Sequence, residues 1–317
     1  MKPPYEITSK ILKLITSISQ KIGEVNAKYL VQQDPKLRKQ NQIKTIHSSL
    51  SIEGNTLSEE QITAIIDQKR VVGPLKDIKE VLNALAVYKI LKSLKYTSEK
   101  DFLKAHQILM KELIPIAGKY RTTGVGIVKG SEIAHIAPPS NNVKFLMGDL
   151  FEYLKDKSEL TLIKSCVFHY EMEFIHPFSD GNGRMGRLWQ TAILMSEYPL
   201  FEFLPFETLI SKNQHEYYNK LSISDKEGQS TAFIEFMLDI IDQSLGELLK
   251  SGSRKLNENE RLALFLETNT VEFTRKHYMT HYSEISSATA SRDLKNGVNT
   301  GLIEKLGDKK TTSYKKL

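Results

Sequence analysis

Cysteine is almost missing from this chain. Cys166 stands alone in 317 residues, which excludes an intramolecular disulfide framework and fits a reducing cytoplasm. It lies in the apolar run from Leu162 to Phe168, where a buried small hydrophobe is the expected role. No apolar run approaches the roughly 20 residues needed to cross a bilayer, so no membrane partner is expected. The first five residues, Met1-Lys2-Pro3-Pro4-Tyr5, lack the apolar core of a secretory signal. Internal repeats and low-complexity tracts are also missing, which sets aside solenoid and fibrous architectures. What remains is an ordinary globular composition, 40% hydrophobic and 26% charged, on a chain long enough for more than one domain.

The formal net charge of +6 is small and uneven. From Lys250 onward there are 13 Lys and Arg against 8 Asp and Glu, so most of the excess sits at the C-terminal end. That bias is compatible with a nucleic-acid footprint and equally with a solvated basic surface.

The patterning is mainly helical. Apolar residues recur at three and four from Thr8 to Val31. A second helix is predicted from Asn41 to Glu53, closed by Gly54-Asn55. Ser58-Glu59-Glu60-Gln61 is a capping signature for a third, running toward Gln68. Further helices are predicted over Lys76–Leu94 and Asp101–Leu113. Between Thr123 and Ile136 the pattern changes to two short β-type pieces around Lys129-Gly130-Ser131, which reads as a hairpin ended by Pro138-Pro139. Helical patterns return at Val143–Leu154, Thr161–Glu173, Arg184–Glu197, Glu216–Leu221 and Thr231–Leu249. Ser251-Gly252-Ser253 is a linker candidate. Three shorter helical segments follow, Glu258–Glu267, Arg275–Tyr282 and Ser286–Gly297. With the β-type pieces Gly301–Leu306 and Thr312–Tyr314 they suggest a winged helix-turn-helix. The predicted division is a helical region over 1–100, including a helix at about 41–54, a central region over 101–250 and a winged-helix domain over 255–317.

The run from His176 to Arg187, His-Pro-Phe-Ser-Asp-Gly-Asn-Gly-Arg-Met-Gly-Arg, concentrates chemistry. Glycines just before a helix let successive N–H groups face one spot, and the helix N-terminus adds partial positive charge. Arg184 and Arg187, three apart, share a helix face and can grip two phosphates. Asp180 can hold Mg²⁺ bridging phosphate oxygens. His176 can take a proton from an incoming hydroxyl.

These residues match, without gap or substitution, the signature His-x-Phe-x-(Asp/Glu)-Gly-Asn-Gly-Arg-x-x-Arg, and the chain resembles the Fic family over roughly Asn41 to Leu249. Gly118-Lys119-Tyr120-Arg121 resembles the segment leading into the family's flap, and Tyr217-Tyr218 resembles a tyrosine pair near the nucleotide. The resemblance implies a mainly α fold, a Fic helical core with a β-hairpin flap, and a protein adenylyltransferase that moves AMP from ATP onto a protein hydroxyl. Under it, His176 is the general base, Asp180 holds Mg²⁺, and Asn182 with the backbone of Gly181–Gly183 steadies the α-phosphate. Arg184 binds the β-phosphate and Arg187 the γ-phosphate, with Met185 and Gly186 in the same nucleotide-binding stretch. Phe178 packs into the core. Ile133, Ala134, His135 and Ile136 in the flap lie near the nucleotide and align the target. Glycine at 183 favours AMP transfer over the kinase behaviour of a branch with lysine there. Asp225 departs from an asparagine contact in some relatives.

Ser49-Leu50-Ser51-Ile52-Glu53-Gly54 also matches the family's inhibitory motif. Helical spacing puts Ser49 and Glu53 on one face. By resemblance, Glu53 pairs with Arg187, occupies the γ-phosphate site and misaligns ATP. The same glutamate in relatives serves the reverse, de-adenylylating reaction. A homodimer is implied by resemblance alone. In the C-terminal segment, Arg292 and Lys295 are predicted on an exposed recognition-helix face, with Lys309 and Lys310 on the wing, for contact with DNA or protein. The competing reading is a DNA-binding regulator that uses the core as a nucleotide sensor, and the intact His176 argues against it.

Overall fold

The computed structural model describes residues 2–29, 35–124, 126–129, 132–251, 258–268, 272–282, 285–308 and 311–317. The chain divides into two compact units, one of Met1–Gln33 with Leu37–Leu249 and the other of Asp34–Lys36 with Lys250–Leu317. Val31, Gly130, Ser131, Gly252, Ser253, Lys309 and Lys310, all used in the sequence reading, lie outside the described residues.

The first unit contains helices α1 (Ser9–Tyr29), α2 (Pro35–Ser51), α3 (Glu59–Ile66), α4 (Leu75–Ile90) and α5 (Glu99–Leu109). A two-stranded hairpin follows, β1 (Gly126–Lys129) and β2 (Glu132–Ile136), and then α6 (Ser140–Leu154), α7 (Thr161–Ile175) and α8 (Asn182–Met195). The unit closes with α9 (Glu207–Lys212), α10 (Gln214–Glu227) and α11 (Thr231–Ser251). Helices α7 and α8 form its centre. Every residue from Leu162 to Tyr170 in α7 is buried, which is why that helix shows no polar face in the sequence, and nearly all of α8 is buried as well. Aromatic rings tie this centre to its surroundings: Phe102 of α5 meets Phe151 of α6, Phe168 of α7 and Trp189 of α8 at 5.1–5.9 Å between centroids. Helix α1 buries Ile11, Ile18, Ile22 and Val25 in the same core. It is pinned to α11 through Lys21 Nζ to Asp242 Oδ2, 2.7 Å, and Thr8 Oγ1 to Glu235 Oε1, 2.6 Å.

Local signals account for several boundaries. Ser58 and Gln61 form the predicted capping box of α3. Helix α8 begins at Asn182, two residues before the predicted start, because Gly181 at φ +87° provides the turn into it. Helix α10 is longer than predicted and ends at Gly228, φ +64°. Its largely polar sequence hid the period, as it did for the short α9. In the hairpin, Gly126 pairs with Ile136, Ile127 with His135, Val128 with Ile133 and Lys129 with Glu132. The register slips between Ile127 and Val128, so Ala134 is the extra residue of a β-bulge.

The second unit has α12 (Glu258–Thr268), α13 (Arg275–His281), α14 (Ser287–Asn299) and an antiparallel pair, β3 (Ile303–Leu306) and β4 (Ser313–Lys316). Thr274 and Ser286 cap α13 and α14. Leu262, Phe265, Leu266, Phe273, Tyr278, Tyr282, Ala290, Leu294 and Ile303 make a separate core. Asp293 is buried inside it, paired with Arg261 at 2.7 Å and accepting from the Tyr278 hydroxyl at 3.0 Å. Arg292 and Lys295 are exposed on α14.

Candidate active site

The loop from His176 to Gly181 is held from three directions. His176 caps α7 at φ +48°, a left-handed conformation that non-glycine residues seldom adopt, so its surroundings must impose it. Arg121, buried, donates from Nε to the His176 carbonyl (2.7 Å) and from Nη2 to that of Ile175 (3.2 Å). The Asn182 side chain spans the loop, accepting from Phe178 N–H (2.9 Å) and donating to the Phe178 carbonyl (3.0 Å). Below it, the fully buried Phe178 ring lies against the His106 imidazole at 3.6 Å and on Phe102 at 5.4 Å.

His106 fixes the far end of the loop. Gly118 N–H donates to its Nδ1 (2.8 Å), so Nε2 carries the proton and donates to the Asp180 carbonyl at 3.0 Å. Burial pushes its pKa down to about 4, so the ring stays neutral. In His176, Nδ1 lies 3.3 Å from the Glu173 carbonyl, which can only accept. The proton of the neutral ring then sits on Nδ1, and Nε2 is the acceptor that a general base requires.

Gly181 opens α8 without a side-chain cap, and a Cβ there would meet Met110 Sδ at 2.7 Å. The first turn therefore presents N–H groups that have no intrahelical partners. Two buried arginines stand beside it. Arg184 donates from Nη1 to Glu80 Oε1 (3.0 Å) and from Nη2 to Asp180 Oδ1 (2.9 Å), and its Nε finds no hydrogen-bond partner among the described residues. Arg187 is fully buried, with Nη2 on Glu53 Oε1 at 2.7 Å and on the Ser49 carbonyl at 2.9 Å, and Nε on Ser49 Oγ at 3.1 Å. Its Nη1 likewise has no partner among the described residues. Burial works against the Arg187 charge, but the Glu53 carboxylate, together with Tyr217 and Glu173, more than offsets it and holds the guanidinium above its ordinary range.

Glu53 itself sits two residues beyond the end of α2, in a bend closed by Gly54 at φ +89°. Three neighbours hold that bend. Asn55 donates to Glu80 Oε2 (2.8 Å) and to the Asp77 carbonyl (3.1 Å), Thr56 N–H donates to Asp77 Oδ2 (2.8 Å), and Gln214 donates to the Ile52 carbonyl (2.9 Å). Glu80 thus touches both Arg184 and the bend that carries Glu53.

Some residues expected at a nucleotide face elsewhere. The Asn182 side chain is spent on Phe178, leaving only its backbone for an anion. Met185 is fully buried in the core. A Cβ at Gly186 would strike His169 Cδ2 at 2.7 Å, so this glycine serves the α7–α8 contact. Tyr217 is 1% exposed and donates to His169 Nε2 at 3.0 Å, behind Arg187. Burial lowers the His169 pKa to about 3, so the ring is neutral, and its Nδ1 donates to Gln190 Oε1 at 2.7 Å, which leaves Nε2 as the acceptor. Tyr218, beside Tyr217, is 36% exposed. Asp225 accepts from the Tyr170 hydroxyl at 3.0 Å. The side chains of Ile133, Ala134, His135 and Ile136 lie outside what is described. His106, Glu80 and Asn55 were missed as site residues, since each acts through long-range packing. Arg121 carried only the signal of its Gly118-Lys119-Tyr120-Arg121 setting.

The profile of the Fic/DOC family matches residues 96–194. The chain is 29% identical to "Protein adenylyltransferase Fic" of Aedes aegypti, over 65% of this chain and 42% of the relative. It is 30% identical to the protein of that name from Nematostella vectensis, over 65% and 48%. It therefore spans less than half the length of these curated relatives. The crystal structure of a Fic family protein from Desulfovibrio desulfuricans G20 superposes with a TM-score of 0.78 at 38% identity, covering 100% of this chain and 98% of that one. Identity of that level along the whole of both chains, carried on an intact His176-to-Arg187 loop, makes this chain a member of the Fic family.

Proposed function

We propose that the protein transfers AMP from ATP to a Tyr, Thr or Ser hydroxyl of target proteins and is restrained by its own Glu53. The observation that carries this reading is the Arg187–Glu53 pair at 2.7 Å beside an uncapped helix N-terminus. A site that recruits a carboxylate to a buried guanidinium is one built to hold an anionic oxygen.

In the proposed reaction the target oxygen attacks the α-phosphorus, the bond to the bridging oxygen of pyrophosphate breaks, and the hydroxyl proton passes to His176 Nε2. The N–H groups at the start of α8 receive the charge developing on the α-phosphate. Arg184 and Arg187 hold the β- and γ-phosphates once Glu53 withdraws. The Asp180 carboxylate, 49% exposed and 2.9 Å from Arg184, would hold Mg²⁺, a hard cation that takes carboxylate oxygen. When bound, the ion neutralises charge on the leaving pyrophosphate. While Glu53 occupies Arg187, ATP binds with its α-phosphate out of line, and a misplacement of about 1 Å costs on the order of a hundredfold in rate.

Label transfer from α-labelled ATP with Mg²⁺ tests the reading, in wild type, Glu53→Gly and Glu53→Gly with His176→Ala. The expected result is weak label in wild type, strong label in Glu53→Gly, and none in the double variant while ATP binding persists. No label in any variant despite ATP binding would move the assignment to a nucleotide sensor. The same reading includes a cytoplasmic setting and a homodimer, the latter checked by sedimentation. For the second unit, exposed Arg292 and Lys295 on α14 favour a winged-helix module that contacts DNA. A salt-sensitive gel shift supports that role, and its absence assigns the unit to protein docking.

A further inference from the structure

Arg121 lies on no helix or strand, yet it is 5% exposed and donates to five different main-chain carbonyls. Its own N–H reaches Pro177 (2.9 Å), Nε reaches His176 (2.7 Å), and Nη2 reaches Ile175 (3.2 Å). Nη1 reaches Thr123 (2.9 Å), and Nη2 also reaches Pro138 (2.6 Å). The acceptors fall into two groups. Ile175, His176 and Pro177 are the C-terminal end of α7 and the start of the loop, where the helix dipole places negative charge. Thr123 and Pro138 flank the hairpin, one before β1 and one after β2.

One rigid, planar guanidinium thus joins both roots of the flap to the backbone of His176. Lysine could not do this, because a single ammonium cannot span carbonyls on two sides of a plane. The contact to His176 is at the residue that holds φ +48°, so the same side chain helps impose the conformation that aims the imidazole.

We propose that Arg121 is the positioning residue that registers the flap, and any target segment aligned on it, against His176. The proposal rests on the AMP-transfer reading of the site. Arg121 works through main chain on both sides, so its removal should disturb the geometry of attack and spare the grip on the nucleotide, which belongs to α8 and its arginines.

The test uses Arg121→Met and Arg121→Lys in the full-length Glu53→Gly protein, with thermal melting as a check on folding. In Arg121→Met, AMP transfer at saturating ATP should fall about a hundredfold, the scale of a 1 Å misplacement. The ATP dissociation constant should stay within roughly threefold. Arg121→Lys should fall between Met and the parent. Hydrogen exchange should rise in peptides covering Thr122–Gly124, Pro138–Ser140 and His176–Phe178, and stay unchanged in α11. Transfer and ATP binding falling in parallel, or exchange rising throughout the first unit, would show a merely structural residue and overturn the proposal. So would unchanged transfer and exchange in a Met variant that melts normally. If Glu53→Gly alone transfers no AMP, the functional reading fails instead, and the exchange pattern still decides whether Arg121 couples flap and loop.

Discussion

Arg187 in the first unit and Arg261 in the second both face a carboxylate in the interior, and the two pairs are built differently. Arg261 meets Asp293 as a fork, Nε to Oδ2 at 2.7 Å and Nη2 to Oδ1 at 2.8 Å, and the Tyr278 hydroxyl adds a third bond to the same carboxylate. Asp293 is fully buried, 32 residues from its partner and on a helix of the same small core. Arg187 meets Glu53 through one nitrogen, which it shares with the Ser49 carbonyl, and its Nη1 has no partner among the described residues. Glu53 is 28% exposed and arrives from 134 residues upstream. The first arrangement is closed and specifies a fold. The second has spare donors and a partner with a route to solvent, which is what exchange of a carboxylate for a phosphate requires.

The largest effect should separate the pairs by stability. Asp293→Ala removes the fully buried carboxylate on which three bonds converge, leaves the part-buried Arg261 unpaired, and should cost about 3 kcal/mol in the second unit, read as an earlier urea transition, with ATP binding by the first unit unchanged. A loss below about 1 kcal/mol would show that the fork is dispensable. Glu53→Gly should cost less, about 2 kcal/mol, because Arg187 keeps its two bonds to Ser49 and the 28% exposed Glu53 leaves water a route to the vacated nitrogen. Unlike the Asp293 loss, this one should be recovered by saturating ATP, whose phosphates take the place of the carboxylate. A melting curve of Glu53→Gly that ATP does not shift would end the comparison.

The same contrast explains what could be read from sequence. The loop, its two arginines and the Ser49–Glu53 spacing are local patterns, and the structure brings Ser49 and Glu53 onto Arg187, a pairing that came from the family resemblance and not from the spacing. Helices with one apolar face, such as α1 and the capped α3, were equally legible. Helix α10 was legible only over Glu216–Leu221, since its buried positions are few and its residues polar. The destinations of Asn182, Met185 and Tyr217 depend on packing between segments far apart in sequence. His106 looks like any helical histidine until Gly118 and Asp180 are folded onto its two nitrogens. Glu80 and Asn55 likewise gain meaning only where α4 meets the bend after α2.

Gly183 gives a sharper test of how the open pair is accommodated. A Cβ at this position would overlap Glu53 Oε1 and come within 3.1 Å of Arg187 Nη1. Its backbone already has helical geometry, so alanine is not excluded by conformation. Gly183→Ala should therefore push the carboxylate off Arg187 and raise AMP transfer about tenfold, an effect of roughly 1.4 kcal/mol. Combined with Glu53→Gly it should add nothing, because both changes remove one contact. Additive gains would mean that the glycine acts on the nucleotide and not on Glu53.

The smallest predicted effect concerns the bend that presents Glu53. Asn55 links it to Glu80 and to the Asp77 carbonyl, and its Oδ1 accepts from Leu57 N–H at 3.1 Å. Removing these bonds in Asn55→Ala loosens one of three attachments, while Thr56 on Asp77 and Gln214 on the Ile52 carbonyl remain. One hydrogen-bonding side chain is worth about 1 kcal/mol net. Only part of that falls on the Arg187–Glu53 contact, so AMP transfer should rise about threefold. The companion change Asp293→Asn in the second unit should leave transfer alone. A rise as large as that of Glu53→Gly would show that Asn55 is the main anchor of the restraint and that Glu80, through it, couples the two arginines. No rise at all would place the whole restraint in the direct pair.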